Sequence, residues 1–542
     1  MKKGQPSYFL REATGLIREW SVFDAFEYLV LQAAVPLFFA LVYTQGAWMF
    51  PSGSLAVAAI FSAVAASFTG FMYVALIAMM PRSGGDYVFN SRIMHPAWGM
   101  MVAGGWTVVW QIIWNTLMPG FMATSVFGPW FLTYGSMFKN QALLDLGNWF
   151  YTTPAIPIIM VALFAVSFLL HVIGMRGYAR VQYFLFAFMC IAFVIPVVAL
   201  LSIGQAGWQS TFNALVSEQT GTADAYSGVI KAAGSYGFTP SYSLDVSQSL
   251  MLMPFIYTPL AFCQWIAENA GETKGASSMK ANAKSILGSI WFLTIIIIVT
   301  SFTVVYIMGQ DFLASLGYLF FEGKPEYGNF LSQPPYLYSL ASVAIGNPFL
   351  ISLLFVGLVA TSLNISYNTA LAGSRNLMAM AFDRVFFEKS GHVSDRWHFP
   401  TYSVLAMYII PVLLLPVYLY TNFGTLLLGT SVGVTGLFIG TGVSALIIPW
   451  KRPDIYKSSA ISRYSLAGIP LITIVAFLSI VLTSFDMYIL LSNPGFGLVN
   501  VPSYVFLALS YLLWIPVYFA FAWYRKKQGI DVSLAFKEIP PE

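Results

Sequence analysis

Met79–Pro96 reads MMPRSGGDYVFNSRIMHP and lies between two long apolar runs. Two adjacent glycines, an acid, a tyrosine and two arginines crowd into this one connection. Its meaning depends on what flanks it. Of the 542 residues, 58% are hydrophobic and 9% charged, with a mean hydropathy of +0.73. A soluble domain carries about 25% charged residues. A chain this poor in charge cannot cover itself with polar surface, so part of its solvent is lipid. The polar, basic start has no short apolar core with a cleavage site, so the first apolar run reads as an uncleaved insertion signal.

A spanning helix needs about 20 apolar residues. Twelve runs qualify, near 22–45, 54–80, 97–128, 155–174, 178–203, 247–267, 285–309, 347–373, 400–421, 424–449, 464–490 and 503–524. These runs are too long and too uniformly apolar for a barrel, whose strands alternate over about ten residues. The fold class is therefore an all-α membrane protein of twelve spans. Of the 26 lysines and arginines, only Lys139, Lys231 and Lys324 fall on the side opposite the N-terminus when the runs are threaded alternately. Cations collect on the cytoplasmic side, which puts both termini there. Two connections on the other side, 204–246 and 310–346, are long and read as mobile loops or ordered lids. No soluble domain is expected: a cytoplasmic segment 1–21 leads in, and a short tail 525–542 ends the chain.

Three stretches break the apolar pattern. LQAAVPLFF places Pro36 inside the first run, and LMLMPFIYTPLAF places Pro254 and Pro259 inside the sixth. Each proline removes a helical hydrogen bond and clashes one turn back. The two breaks lie five spans apart, and an odd spacing gives the halves 22–203 and 247–449 opposite topology. Interrupted helices at matching places in inverted halves mark a transporter's binding site. The third stretch, LVATSLNISYNTA, gathers Thr361, Ser362 and Asn364 in the eighth run. Asp24 and Glu27 are the acids expected within the membrane, and Ser21 with Asp24 reads as a capping box. Trp106, Trp110 and Trp114 recur every four residues in the third run, with Gln111 and Asn115 beside them. Cys190 and Cys263 read as small apolar residues. His95, His171, His392 and His398 lack metal-ligand spacing. No phosphate loop, nucleophile elbow or paired catalytic acids appear, so an enzyme is not expected.

The opening stretch can now be placed. PRSGGDYVFNSR (Pro81–Arg92) resembles the P-x-x-G-G-x-Y-x-x-x-x-R signature that follows the second span in the amino acid–polyamine–organocation (APC) superfamily of permeases. GMRGYARVQ from Gly174, AENAGETKGASSMKAN from Ala267, SRNLMAMAFDRVFF from Ser374 and FPTYSV from Phe399 are similar to that superfamily's later motifs, in order. The resemblance covers about residues 10–525, and the tail is similar to archaeal and bacterial amino acid permeases. It implies a five-plus-five inverted repeat with two added spans (450–524), alternating access, and substrate held where the first and sixth helices break. The glycine-rich turn usual in helix one is replaced by QAAVP, the helix-six break reads YTP, and Met189 stands where some proton-coupled members carry a lysine. In the signature itself, Gly84 and Gly85 permit a tight turn and close backbone approach. Arg82 and Arg92 hold the segment at the cytoplasmic surface, and Tyr87 is an interfacial anchor.

The expected substrate contacts are Gln32, Ala33, Ala34, Val35, Pro36, Trp110, Trp114, Asn115, Ile256, Tyr257, Thr258, Pro259 and Asn364. Thr361 and Ser362, with carbonyls of Ala33 and Pro36, resemble a sodium site of this fold; hydroxyls bonded back into their own helix are the alternative. Protons acting through Asp24 or Glu27, or exchange without a coupling ion, are the other routes, and no cofactor is expected. The implied function is transport of amino acids across the cell membrane, against polyamine or other organic-cation transport or amino acid exchange. Partners are the small-molecule substrate and the lipid bilayer, not nucleic acid, in a monomer or homodimer.

Overall fold

The computed structural model describes residue 16 and residues 18–421 and 429–539. Lys2, Lys3 and Arg11, the start of the expected tenth span and the last three residues lie outside these. The chain is helical nearly throughout; β1 (Ser465–Leu466) and β2 (Ile469–Pro470) form one small antiparallel hairpin.

Ser21 starts α1 (Val22–Ala33) with the expected capping box: Ser21 Oγ accepts from Asp24 N–H, and Asp24 Oδ2 accepts from Ser21 N–H. The helix stops at Ala34, whose φ of +49° is left-handed. α2 (Val35–Met49) restarts with Pro36 in its first turn, the position where a missing N–H costs nothing. The break thus falls two residues before the proline, where the ring would clash. The segments Val22–Leu37 and Phe39–Met49 bend by 56°.

α3 (Leu55–Met79) leads to the short α4 (Gly85–Ile93). The expected third span is segmented: α5 (Pro96–Ala103), a π-helical stretch Gly104–Trp110, α6 (Gln111–Met122), a second π stretch Ala123–Phe127 and α7 (Gly128–Phe138). α8 (Gln141–Trp149), α9 (Ala155–Val172) and α10 (Gly174–Thr220) follow. The expected sixth span is broken into α12 (Val246–Met251), α13 (Met253–Leu260) and α14 (Gln264–Glu268), after α11 (Ala225–Ser235). Then come α15 (Met279–Met308), α16 (Gln310–Phe321), α17 (Leu337–Ile345), α18 (Pro348–Phe382), α19 (Thr401–Tyr420) and α20 (Gly429–Lys451). α21 (Pro453–Lys457), α22 (Leu471–Ser492), α23 (Val501–Leu512) and α24 (Trp514–Lys527) complete the order.

Among the described residues, nine helices are long and apolar enough to cross a membrane, or ten with the bent α1–α2 pair. The twelve expected spans and this number differ at 97–128 and 247–267, where π turns and prolines divide the run into pieces. The expected fifth span, 178–203, stops where α10 breaks: Gly204 has φ +65° and ψ −178°, outside helical values, and a second helical stretch carries on to Thr220. Neither long connection is a bare loop. α10 and α11 fill one, α16 and α17 the other, and Trp208, Phe212, Tyr226 and Phe312 stack where they meet.

Candidate substrate site

The α1–α2 break and the α13–α14 break face one cavity of about 350 Å³. Gln32 stands at its α1 end, and Leu41, Val42 and Gln45 of α2 carry its wall towards Phe321 at the end of α16. Pro254, Phe255, Thr258 and Pro259 line it from α13, Trp265 from α14, and Trp106, Gln111 and Trp114 from the segmented third span. Among the described residues, no charged side chain lines it.

Folding leaves several of these lining groups unsatisfied. Both amide atoms of Gln111, Thr258 Oγ1, Trp106 Nε1 and Trp265 Nε1 are buried with no hydrogen-bond partner among the described residues. Native proteins pair nearly all such groups, so these five atoms are polar groups at the cavity wall that the described residues leave unmatched. Mostly apolar walls with a few convergent polar atoms are the usual build of a small-molecule site.

Of the expected contacts, Gln32, Trp114, Thr258 and Pro259 line this cavity. Ala33, Ala34, Val35 and Pro36 form the break beside it, and Ile256 is buried within α13. Trp110 is directed elsewhere: its indole donates to Ser510 Oγ at 3.0 Å and packs on Phe506. The tryptophan stripe therefore splits, because π turns widen the helix and rotate Trp110 off the face shared by Trp106 and Trp114. Asn115 donates to the Met407 carbonyl (3.2 Å) and accepts from Ser366. Asn364 accepts from the Tyr178 hydroxyl, which also reaches Asn368; Asn368 in turn donates to Gln32 Oε1 at 2.9 Å. Asn364 thus lies three hydrogen bonds behind the cavity, through Asn368 and Tyr178. Tyr257 turns away from it and bonds Thr69 (2.9 Å) and Thr483. Thr361 and Ser362 donate to the carbonyls of Gly357 and Leu358, at 2.8 and 2.9 Å. That is the back-bonded arrangement, and it leaves their lone pairs free.

The acids differ from expectation. Asp24 caps α1 and accepts from the Tyr183 hydroxyl at 2.8 Å, and Glu27 is buried one turn on. A third acid lies in a long apolar helix: Asp486 of α22, fully buried. Its signal in the sequence is an aspartate within the apolar run 464–490.

The basic end of the molecule is sealed, and the signature motifs make the seal. Arg92 pairs with Asp383 through both guanidinium nitrogens, at 2.5 and 2.9 Å. Arg375 pairs likewise with Glu272, at 2.8 and 3.0 Å. All four side chains are buried. Tyr87 is no interfacial anchor: it is fully buried and donates to Asp383 Oδ2 at 2.8 Å. Arg92, too, is buried rather than spread at the surface, because an acid 291 residues away neutralises it. Asp86 accepts from Tyr73 (2.7 Å) and Thr441 (2.5 Å), and its backbone N–H faces Glu268 Oε1, which Asn376 holds by the other oxygen. Burial pushes the Asp86 carboxyl up to about 6. Gly84 has φ +83°, and a Cβ there would meet Ala379 Cβ at 2.5 Å; one on Gly85 would meet the Ala267 backbone at 2.5 Å. The double glycine therefore serves both the turn and the close approach.

The order of motifs, the two breaks beside one uncharged cavity and the motif-built seal all fit a permease. No curated protein matches the chain in sequence. A family model described as "Amino acid permease" matches residues 33–521, and the chain belongs to that family of multi-pass membrane transport proteins.

Proposed function

We propose that the chain is a secondary transporter that carries neutral amino acids with large apolar side chains by alternating access. The observation that carries this reading is the set of unpaired polar groups on Gln111, Thr258, Trp106 and Trp265 around an aromatic cavity free of charge. An amino acid is a zwitterion on an apolar stem. Its carboxylate suits the start of α2 and its ammonium the free carbonyls at the end of α1, since half-helix ends carry matching partial charges. Its side chain suits the tryptophan and phenylalanine walls. A polyamine or other organic cation finds no acid in the lining to balance it.

In this reading, α1–α2 and α12–α14 are equivalent broken spans of two inverted five-span halves, and two further spans bring the total to twelve. The basic face is cytoplasmic in the cell membrane. The present arrangement is closed there by the Arg92–Asp383 and Arg375–Glu272 pairs, and these must part for release inward.

The test is uptake of labelled leucine, phenylalanine, glutamate, lysine and putrescine into proteoliposomes. Saturable uptake of leucine and phenylalanine, competed by their L-forms and not by putrescine, is the expected result. Uptake confined to putrescine or lysine would overturn the reading. Uptake that needs internal amino acid would make the protein an obligate exchanger.

A further inference from the structure

Asp486 lies outside the substrate cavity and outside the ion-paired basic end. It is fully buried in α22, and neither carboxyl oxygen has a hydrogen-bond partner among the described residues. An ionised carboxylate without water, cation or donor is too costly at such a place. The group is therefore held as the neutral acid in this arrangement.

Its surroundings tie it to the helix-six break. One turn inward on α22, Thr483 bonds the Tyr257 hydroxyl, and Tyr257 bonds Thr69 of α3 at 2.9 Å. Thr69 also bonds Ser479 of α22 at 2.8 Å. α3 and α22 run antiparallel: beyond the end of α22, a Cβ on Gly495 would meet Met49, which lies just before α3. Seven residues outward from the Thr69–Ser479 contact, or about 10.5 Å along each helix, come Ser62 and Asp486. The Ser62 hydroxyl is likewise buried without a partner. Two unsatisfied groups thus sit at one level on facing helices. The elements packed on α22 bring few other titratable groups. α13 brings Tyr257, α3 carries Tyr73 far inward beside Asp86, and α20 carries Lys451 at its basic end. Arg463 lies at that same basic end.

We propose that Asp486 is a proton-binding site that couples transport to a proton gradient. The inference rests on the permease reading above. In the closed arrangement the acid keeps its proton behind Tyr257. When α3 and α13 shift relative to α22 and open a path to water on the basic face, the carboxyl gives its proton to a water molecule there. It takes the next proton from water on the opposite face when that face is open, so one proton crosses with each substrate. The same shift moves Pro254, Thr258 and Pro259 of α13 in the cavity wall, so the proton on α22 and the substrate beside α13 respond to one movement. One free hydroxyl and one carboxyl satisfy a proton but make a poor cage for a metal cation, which needs several oxygens.

Two measurements decide it. Infrared difference spectra of the lipid-reconstituted protein need no substrate. At neutral pH we expect a protonated-carboxyl carbonyl band that Asp486→Asn removes and Asp486→Glu shifts; identical spectra for wild type and Asp486→Asn would overturn the proposal. In proteoliposomes, an inside-alkaline gradient should concentrate leucine at least tenfold. Asp486→Asn should let leucine exchange but reduce its accumulation to a ratio near one, and Asp486→Glu should restore accumulation in part. Full accumulation by Asp486→Asn, or accumulation driven by sodium alone at fixed pH, would overturn coupling through this residue. If no amino acid is transported at all, the permease reading fails, and the infrared arm still decides whether Asp486 holds a proton.

Discussion

Gln111 shows most directly how this chain trades stability for binding. Both of its amide atoms are buried and have no partner among the described residues, which costs stability. Gln111→Leu removes that cost and keeps the volume. The variant should unfold at the same or a higher temperature, while KM for the transported amino acid rises about 3–10-fold, the worth of one net hydrogen bond. Detergent-solubilised melting curves and proteoliposome kinetics check the two halves separately. Thr258 and Gln32 were legible as site residues because they flank prolines inside apolar runs. Trp265 was not, since no local pattern distinguishes a cavity tryptophan from a packed one. Trp110 misled for the converse reason: four-residue spacing assumes an unbroken α-helix, and the π stretch Gly104–Trp110 voids that assumption.

At the scale of elements, the seal depends on backbones that nearly touch. A Cβ on Gly85 would lie 2.5 Å from the Ala267 carbonyl carbon and oxygen, and backbone cannot step aside. Gly85→Ala should therefore cost about 1–3 kcal/mol through overpacking, read as a lowered melting temperature. Gly174, with φ +74° and open space around it, is the contrast: Gly174→Ala meets only backbone strain, roughly 1–2 kcal/mol. The buried ion pairs follow a different rule. Arg92→Met or Asp383→Leu alone strands a buried charge and should cost about 3–5 kcal/mol, whereas the double substitution should recover most of the loss. The Arg92 guanidinium also lies over the Phe536 ring at 5.0 Å, so either single variant should loosen the tail, seen as faster proteolysis there.

Across the whole molecule, the stability of the closed basic face should depend on pH through the buried Asp86–Glu268 pair, both of whose carboxyls burial raises. The Asp86 carboxyl rises to about 6 from an ordinary value near 3.8. The folded, closed state therefore binds the proton more tightly than the unfolded chain does. Its contribution is complete below about pH 4 and is lost as pH rises through about 6. The melting temperature should fall across that window and go on falling above it, because burial and Asp86 also raise the Glu268 carboxyl, and Asp86→Asn should flatten the lower part of the curve. An Asp86→Asn profile identical to wild type would place the dependence in another group.

Composition alone determined the solvent, because 9% charge cannot hydrate a chain of 542 residues. Hydropathy placed the apolar runs, and proline placed both breaks to within a turn, because ring sterics act on the nearest residues. Motif spacing announced the family, since each signature is contiguous in the chain. Tertiary structure alone decided which residues of each run face the cavity, because π turns and bends rotate side chains by amounts no periodicity records. It alone joined Arg92 to Asp383 and Arg375 to Glu272, across 291 and 103 residues. It alone left Asp486 and Ser62 without partners among the described residues. Burial and pairing are properties of two surfaces meeting, and a sequence holds each surface only singly.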